Sequence, residues 1–250
     1  MIEIHFLGTA AGMPSSQRMT SSLAVRSGRD VVLMDCGEGV QRQLMISPLS
    51  FMKIRAILIT HLHGDHFFGL APLLQTMGMS GRSESLIIVG PPGTGAALDA
   101  MMGATDGVLT FPVELVESEG GDSFEAGCMI VETYPTVHGV PSIGFVVREH
   151  DSPGRLDRDR AVMLGITKGT DLARLKRGET VNGVTPDQVI GPNVKGLSVS
   201  YTGDTKPCES IIEASRGVDV LVHECTYGAD DAEHAEEHNH STSLQAAEAA

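Results

Sequence analysis

ITHLHGDHFFG, residues 59–69, sets His61, His63, Asp65 and His66 within six positions, directly after the apolar run that begins at Ile54. A short apolar run closed by polar residues reads as a buried strand. In the extended chain leaving that strand, His61 and His63 are two apart, so both imidazoles turn to one side and can share an ion. Gly64 permits a tight turn, after which Asp65 and His66 open the next helix and face a second ion close by. Imidazoles beside a hard carboxylate suit zinc, whose ligand distances are about 2.0–2.2 Å. The bland alternative is an exposed polar loop, but histidines seldom crowd this closely by chance.

Outward from this stretch, IEIHFLG, SSLAVRS, DVVLMD, IRAILIT, SLIIVG, CMIVETY, IGFVVRE, LSVSYTG and VDVLVHE read as strands. GEGVQRQLMI, HFFGLAPLLQTMGM, TGAALDAMMG, CESIIEASR and TSLQAAEAA carry helical periodicity. The order predicts an α/β chain of two sheets covered by helices. Strand ends converge on one rim, so further ligands are sought where His or Asp follows a strand. His138 follows CMIVETYPT, Asp204 follows LSVSYTG, and His223 and Glu224 end VDVLVHE. Taken singly, each has a dull explanation, since a lone His is usually a packing or surface residue and Gly-Asp is an ordinary turn. Beside the clustered histidines, His138 and Asp204 become the natural completing ligands.

HLHGDH, a distant His and then GD resemble the metallo-β-lactamase superfamily, an αββα sandwich that holds two metals at the edge of its sheets. FLGTAAGMPSSQRMTSSLAV, DCGEGVQRQL, ITHLHGDHFFGL, YTGDT, HECTY and HNHSTS narrow the resemblance to the ribonuclease Z family, endonucleases that trim the 3′ trailer from precursor tRNA. HLHGDH marks only the superfamily; GEGVQRQL with the HECTY and HST pieces is more specific. The match runs from residue 2 to residue 250, interrupted mainly in residues 149–196.

Position by position, the resemblance implies that His61, His63 and His138 hold one zinc, that Asp65 and His66 hold the other, and that Asp204 bridges them. Asp35 would orient a ligand, and His240 would sit near the leaving oxygen, steadied by Glu224. Two zincs about 3.5–4 Å apart would share the attacking hydroxide and neutralise charge on the phosphoryl oxygens. Asp65 would accept the water proton and His240 would protonate the departing 3′ oxygen, leaving a 3′-hydroxyl on the tRNA. A homodimer and a precursor tRNA partner are likewise implied.

The chain departs from that pattern in two places. The resemblance implies one more zinc histidine, in a strand reading roughly LTHFS beyond Ala250, so the sandwich is expected without its last strand and helix. His234 and His238, in DDAEHAEEHNH, are the substitutes within the sequence, against the reading of a solvated loop. The other departure falls at residues 149–196, rich in Gly, Pro, Asp and Arg, where LARLKRG is the one helical-looking piece. We read this stretch as a projecting arm inserted into a single domain of residues 1–250. Related arms grip tRNA, and Arg155, Arg158, Lys168, Arg174, Lys176 and Arg177 are the candidate RNA contacts. LGITKGTDLARLKRG nevertheless lacks the usual central Gly-Pro.

A formal charge of −14 argues against a polyanionic partner in general. Nine of the 18 basic residues nevertheless fall within residues 148–195, so a basic arm can bind phosphates at a distance from an acidic cleft. Cys36, Cys128, Cys208 and Cys225 form no CxxC pair and signal neither a disulfide scaffold nor a cysteine zinc site. No leader or membrane-length apolar stretch is evident, which gives a cytoplasmic expectation. VGPPGTGAAL, residues 89–98, begins like a phosphate-binding loop, but Ala96 and Ala97 replace the Lys and the Ser or Thr, so no nucleotide cofactor is expected. The competing readings are a hydrolase of small phosphodiesters or thioesters on the same fold, and a non-catalytic fragment that binds metal or RNA.

Overall fold

The apolar runs become strands, the central ones buried on both faces, and their alternation sorts side chains into separate layers. The computed structural model describes residues 2–104 and 107–250. In the first sheet, β1 (Ile2–Gly8), β2 (Ser22–Ser27) and β3 (Asp30–Met34) pair antiparallel; β3 then continues in parallel with β4 (Ile54–Leu58), β5 (Leu86–Gly90) and β6 (Val113–Glu117). In β3, Val31 and Leu33 point to one side and Val32 and Met34 to the other. Val31 and Leu33 join a core with α1 (Val40–Ile46), α3 (Leu70–Met79) and α4 (Thr94–Gly103), through Leu44, Leu73, Leu74, Met77 and Leu98.

Val32 and Met34 face the second sheet. That sheet has the order β11 (Val220–Val222), β10 (Ser198–Tyr201), β9 (Ile143–Glu149), β8 (Met129–Pro135) and β7 (Ser123–Ala126). Met129, Val131, Phe145, Val147 and Val199 close the space between the sheets. On the far side Tyr134 and Val146 pack on Ile211 of α7 (Glu209–Ser215). The layers are helix, sheet, sheet and helix, the α/β sandwich expected. Because both faces of the central strands are buried, their sequences read as continuous apolar runs.

Two strands escaped the sequence reading. β6 (VELVE) and β7 (SFEA) are the edges of their sheets, short and interrupted by glutamates, which suits an edge and weakens the apolar signal. HFFGLAPLLQTMGM is also two helices, α2 (Gly64–Phe67) and α3. The break at Gly69 has a local cause: its N–H donates to the Cys36 carbonyl at 2.8 Å, and a Cβ there would lie 2.1 Å from the Gly37 oxygen. This close approach sets the histidine-rich loop against the end of β3.

The chain folds as two compact units, residues 1–149 with 197–250, and residues 150–196. The second unit has its own small core of Leu156, Ala161, Ile166, Leu175, Val181, Val184 and Val189. It contains two helices where the sequence suggested one: α5 (Arg158–Met163) precedes α6 (Gly169–Lys176). The missed start signal is Asp157, whose side chain caps α5 by accepting the Arg160 N–H at 2.9 Å. In the first unit, α8 (Ala232–Glu237) occupies the acidic stretch read as a loop, and α9 (Ser243–Ala249) starts at a capping box between Thr242 and Gln245.

Candidate metal centre

β3, β4, β8, β10 and β11 deliver Asp35, the His61–His66 loop, His138, Asp204 and Glu224 from their carboxyl ends. Among the described residues, three overlapping triads hold ligand atoms within 4.8 Å of one another: His61–His63–His138, His61–His66–Asp204 and His138–Asp204–His240. The imidazole centroid of His61 stands 4.7 Å from that of His63, 4.2 Å from that of His66 and 4.8 Å from that of His138.

Hydrogen bonds fix which nitrogen each ring turns inward. Thr60 Oγ1 donates to Asp35, leaving its lone pair for the Nδ1–H of His61 at 3.0 Å. His66 Nδ1 donates to Asp35 Oδ2 at 2.7 Å, and His138 Nδ1 donates to the Asn239 carbonyl at 2.9 Å. The Nε2 atoms of His61 and His66 are buried and lack hydrogen-bond partners. Buried polar atoms are rarely left so. His138 Nε2 faces His63 Nδ1 at 3.2 Å, and His66 Nε2 faces Asp204 Oδ2 at 3.3 Å. Donor atoms on a tetrahedral zinc, each about 2.0–2.1 Å from it, stand about 3.3 Å apart. The residues present therefore fit a metal pair.

Asp35 organises this rim. Its carboxylate also takes the Thr60 N–H at 2.8 Å and the Tyr201 hydroxyl at 2.8 Å, so one fully buried side chain joins β4, α2 and β10. Its φ of 57° is uncommon outside glycine, and an aspartate tolerates it better than most side chains. Asp65 lies outside the triads; its Oδ2 accepts the Gly12 N–H at 2.8 Å and stands 3.5 Å from His66 Nε2.

Electrostatics separate the histidines. Burial pushes His61 down to about 2, and burial also lowers His138, so both rings are neutral as ligands must be. Burial also opposes a charge on His66, but the Asp35 carboxylate on its Nδ1 and the nearby Asp204 carboxylate overcome it and raise His66 well above its ordinary value. Burial works to raise Asp204, yet the neighbouring His66 ring, with His61 and His240, holds it low. Bonding to Glu224 raises His240. His240 Nδ1 donates to Glu224 Oε1 at 2.8 Å, and that carboxylate is itself held by the N–H groups of Thr205, Thr226 and Ser241.

His234 and His238 do not join the triads. His234 Nδ1 bonds Asp231 at 2.5 Å and His238 Nδ1 donates to the His234 carbonyl at 2.9 Å, both on the exposed face around α8. His223 lines a cavity of about 370 Å³ beside Asp204, shared with Phe6, Thr9, Tyr201 and Thr226. In the 150–196 unit, Arg174 and Arg177 bond Glu179, while Arg155, Arg158 and Lys176 line one concavity with Asp157 and Asp159; Lys168 immediately precedes α6. The 89–98 loop holds a carboxylate of the chain itself: Glu117 Oε1 accepts the N–H groups of Gly93 and Gly95 at 3.1 and 2.9 Å, where a phosphate would bind. Thr60, Tyr201, Gly12 and Asn239 escaped the sequence reading. Thr60 and Tyr201 lie inside quoted motifs beside ligands, whereas Gly12 and Asn239 contribute only backbone groups, which carry no side-chain signal.

The ribonuclease Z of Methanothermobacter thermautotrophicus is 39% identical over all of this chain and 82% of its own length. That of Salinibacter ruber is 41% identical, over 98% of this chain and 80% of its own. The chain belongs to the ribonuclease Z family. The crystal structure of the short form of human tRNase Z superposes with a TM-score of 0.73 at 29% identity, covering all of this chain and 87% of that one. The metallo-β-lactamase fold protein YhfI of Bacillus subtilis, at 20% identity and a TM-score of 0.65, shares the fold over 98% of this chain and 78% of its own. A family model described as Anti-Pycsar protein Apyc1 also matches residues 2–94, the part of this chain that carries HLHGDH.

Proposed function

We propose that this chain is a zinc-dependent endoribonuclease that removes the 3′ trailer from precursor tRNA. The observation that carries the reading is the pair of buried, unpartnered Nε2 atoms of His61 and His66, turned into a ring of donors in a chain of the ribonuclease Z family. His61, His63 and His138 would hold one ion, Asp65 and His66 the other, with Asp204 between them. When bound, the pair supplies positive charge for the phosphoryl oxygens and acidifies a nucleophilic water.

The chain's own groups do the rest. Asp35 holds the His66 ring, and through Thr60 the His61 ring, so that neither must reorient. Asp65 accepts the water's proton while Gly12 pins its Oδ2. His240, kept protonated by Glu224, gives the proton on Nε2 to the departing 3′ oxygen of the tRNA. Residues 150–196 carry eight basic and six acidic residues, against ten and twenty-six in the remainder, so this unit is the part suited to tRNA phosphates. The natural assembly in this reading is a homodimer.

The test is cleavage of a precursor tRNA transcript with end mapping, alongside metal analysis. We expect a tRNA ending in a 3′-hydroxyl, a trailer with a 5′-phosphate and zinc in the protein. Deleting residues 150–196 should abolish tRNA cleavage and spare hydrolysis of a small aryl phosphodiester. Equal loss of neither or both would point to a small-substrate hydrolase or to a collapsed fold, and absence of metal and turnover would refute the reading.

A further inference from the structure

Three rings continue outward from His240 and serve none of the roles above. Tyr227 follows β11, and its backbone is tied to the segment that bears His240: its N–H donates to the Ser241 carbonyl at 3.3 Å, and its carbonyl accepts the Ser243 N–H at 3.0 Å. The Tyr227 ring centre lies 5.9 Å from that of His240. His234 and His238 stand 6.5 and 6.1 Å from the Tyr227 ring centre, with planes 23° and 28° from that of Tyr227, and 6.5 Å from each other with planes 44° apart. Both imidazoles are oriented by their Nδ1 atoms, His234 on Asp231 and His238 on the His234 carbonyl. The His234 side chain is 62% exposed and His238 is exposed as well, so the two imidazoles contribute little to a core, while Tyr227 is half-buried.

We propose that Tyr227, His234 and His238 form a stacking platform for unpaired RNA bases, holding the base of the nucleotide whose 3′ oxygen departs. This rests on the proposed function, which places that oxygen at His240. The three centroids form a near-equal triangle, and oriented π faces grouped in this way bind any base, because every base has a face of its own. The surrounding acids do not forbid it: Asp231 is occupied by His234 and Glu236 by Lys206 at 2.8 Å. The remaining acids favour an approach with bases inward and phosphates toward solvent. Tyr227 closes the HECTY piece and His234 and His238 follow within eleven residues, so one short segment supplies all three rings.

The experiment compares a precursor tRNA bearing a normal base at its last retained nucleotide with one abasic there. Stacking is worth roughly five- to hundredfold per base. The wild-type chain should therefore lose roughly tenfold or more in kcat/KM on the abasic substrate, mostly through KM. The exposed double variant His234→Ala/His238→Ala should cut both substrates alike and hydrolyse a small aryl phosphodiester at the wild-type rate. Tyr227→Phe should behave as wild type, and Tyr227→Leu as the double variant. A short single-stranded RNA carrying 2-aminopurine gives a readout independent of cleavage: its fluorescence should be quenched by the wild-type chain and not by the double variant. Equal quenching by both overturns the platform even if tRNA is cleaved. Failure to cleave precursor tRNA, with quenching that depends on these rings, would instead sink the proposed function and keep the platform.

Discussion

Replacing Asp35 by Asn tests how this rim is prepared for metal. Asparagine tolerates the positive φ of 57° about as well as aspartate, so the backbone stays and only the carboxylate changes. Thr60 donates twice to Oδ1, while His66 Nδ1 and the Tyr201 hydroxyl both reach Oδ2, at 2.7 and 2.8 Å. An amide can keep its oxygen toward Thr60 only by turning its NH₂ on His66 Nδ1–H. Neutral His66 then escapes the clash by moving its proton to Nε2, the atom meant for the ion. Losing a hydrogen bond to a buried charged acceptor costs about 1.5–3 kcal/mol, so ion-free stability in urea should fall by about that much. Disturbing a group that orients a ligand costs about 10- to 100-fold in metal affinity, and the weaker of two zinc steps in calorimetric titration should fall accordingly. The pH profile adds a sign. His66 has a raised folded pKa, so its contribution is fully present below the unfolded value of about 6.5 and is lost as pH rises through the folded one. Asp35→Asn should flatten that decline in the ion-free chain. Wild-type zinc affinity together with a wild-type pH profile would refute the assignment of Asp35 as the organiser of His66.

Glu224→Gln removes the charge that, by its hydrogen bond, raises His240, so the alkaline limb of the cleavage profile should move to lower pH; an unmoved limb in the rate profile would show that His240 is not the acid. Glu117→Ala exposes two amides at the start of α4 and should cost about 1 kcal/mol in urea denaturation, with no change in precursor cleavage, because this loop holds no substrate phosphate. Leu175→Ala empties the core of the 150–196 unit, where a buried leucine is worth about 2–5 kcal/mol. Precursor tRNA cleavage should fall while small aryl phosphodiester hydrolysis is kept, and parallel loss of both would contradict a separate role for that unit.

The sandwich and its rim were legible because both leave strong marks. Strands buried on two faces must be apolar throughout, and His and Asp crowded at a strand end are the side chains that can hold an ion, so IRAILIT followed by HLHGDH marks the fold and the candidate site together. β6 and β7 left weaker marks, since an edge needs only one apolar face and tolerates Glu114 and Glu117 or Glu125. α5 was hidden by its brevity and its charge, with Ala161 its one buried residue. Within the centre, side chains were legible and their supports were not. Gly12 and Asn239 act through backbone groups, and Tyr201 reaches Asp35 across 166 positions, a separation no local spacing encodes.

The net charge looks wrong for a chain that handles RNA until its placement is considered. Asp35, Asp65, Asp204 and Glu224 bring four carboxylates to one rim, and the nearby His66 and His240 are the rings whose charge they favour. Repulsion among such groups would oppose folding unless cations join them. In the proposed reading two divalent ions would supply the missing charge and would offset the repulsion between these carboxylates and a phosphate. Acidity at the rim is thus the condition for holding a metal pair, and only the surface beyond the ions' reach must be judged by its own charge. The 150–196 unit, with more basic than acidic residues, is suited by its own charge to phosphates. Around α8, where acids remain, RNA gains most by presenting bases and not its backbone, which is why the exposed rings of His234 and His238 and the ring of Tyr227 matter at that edge.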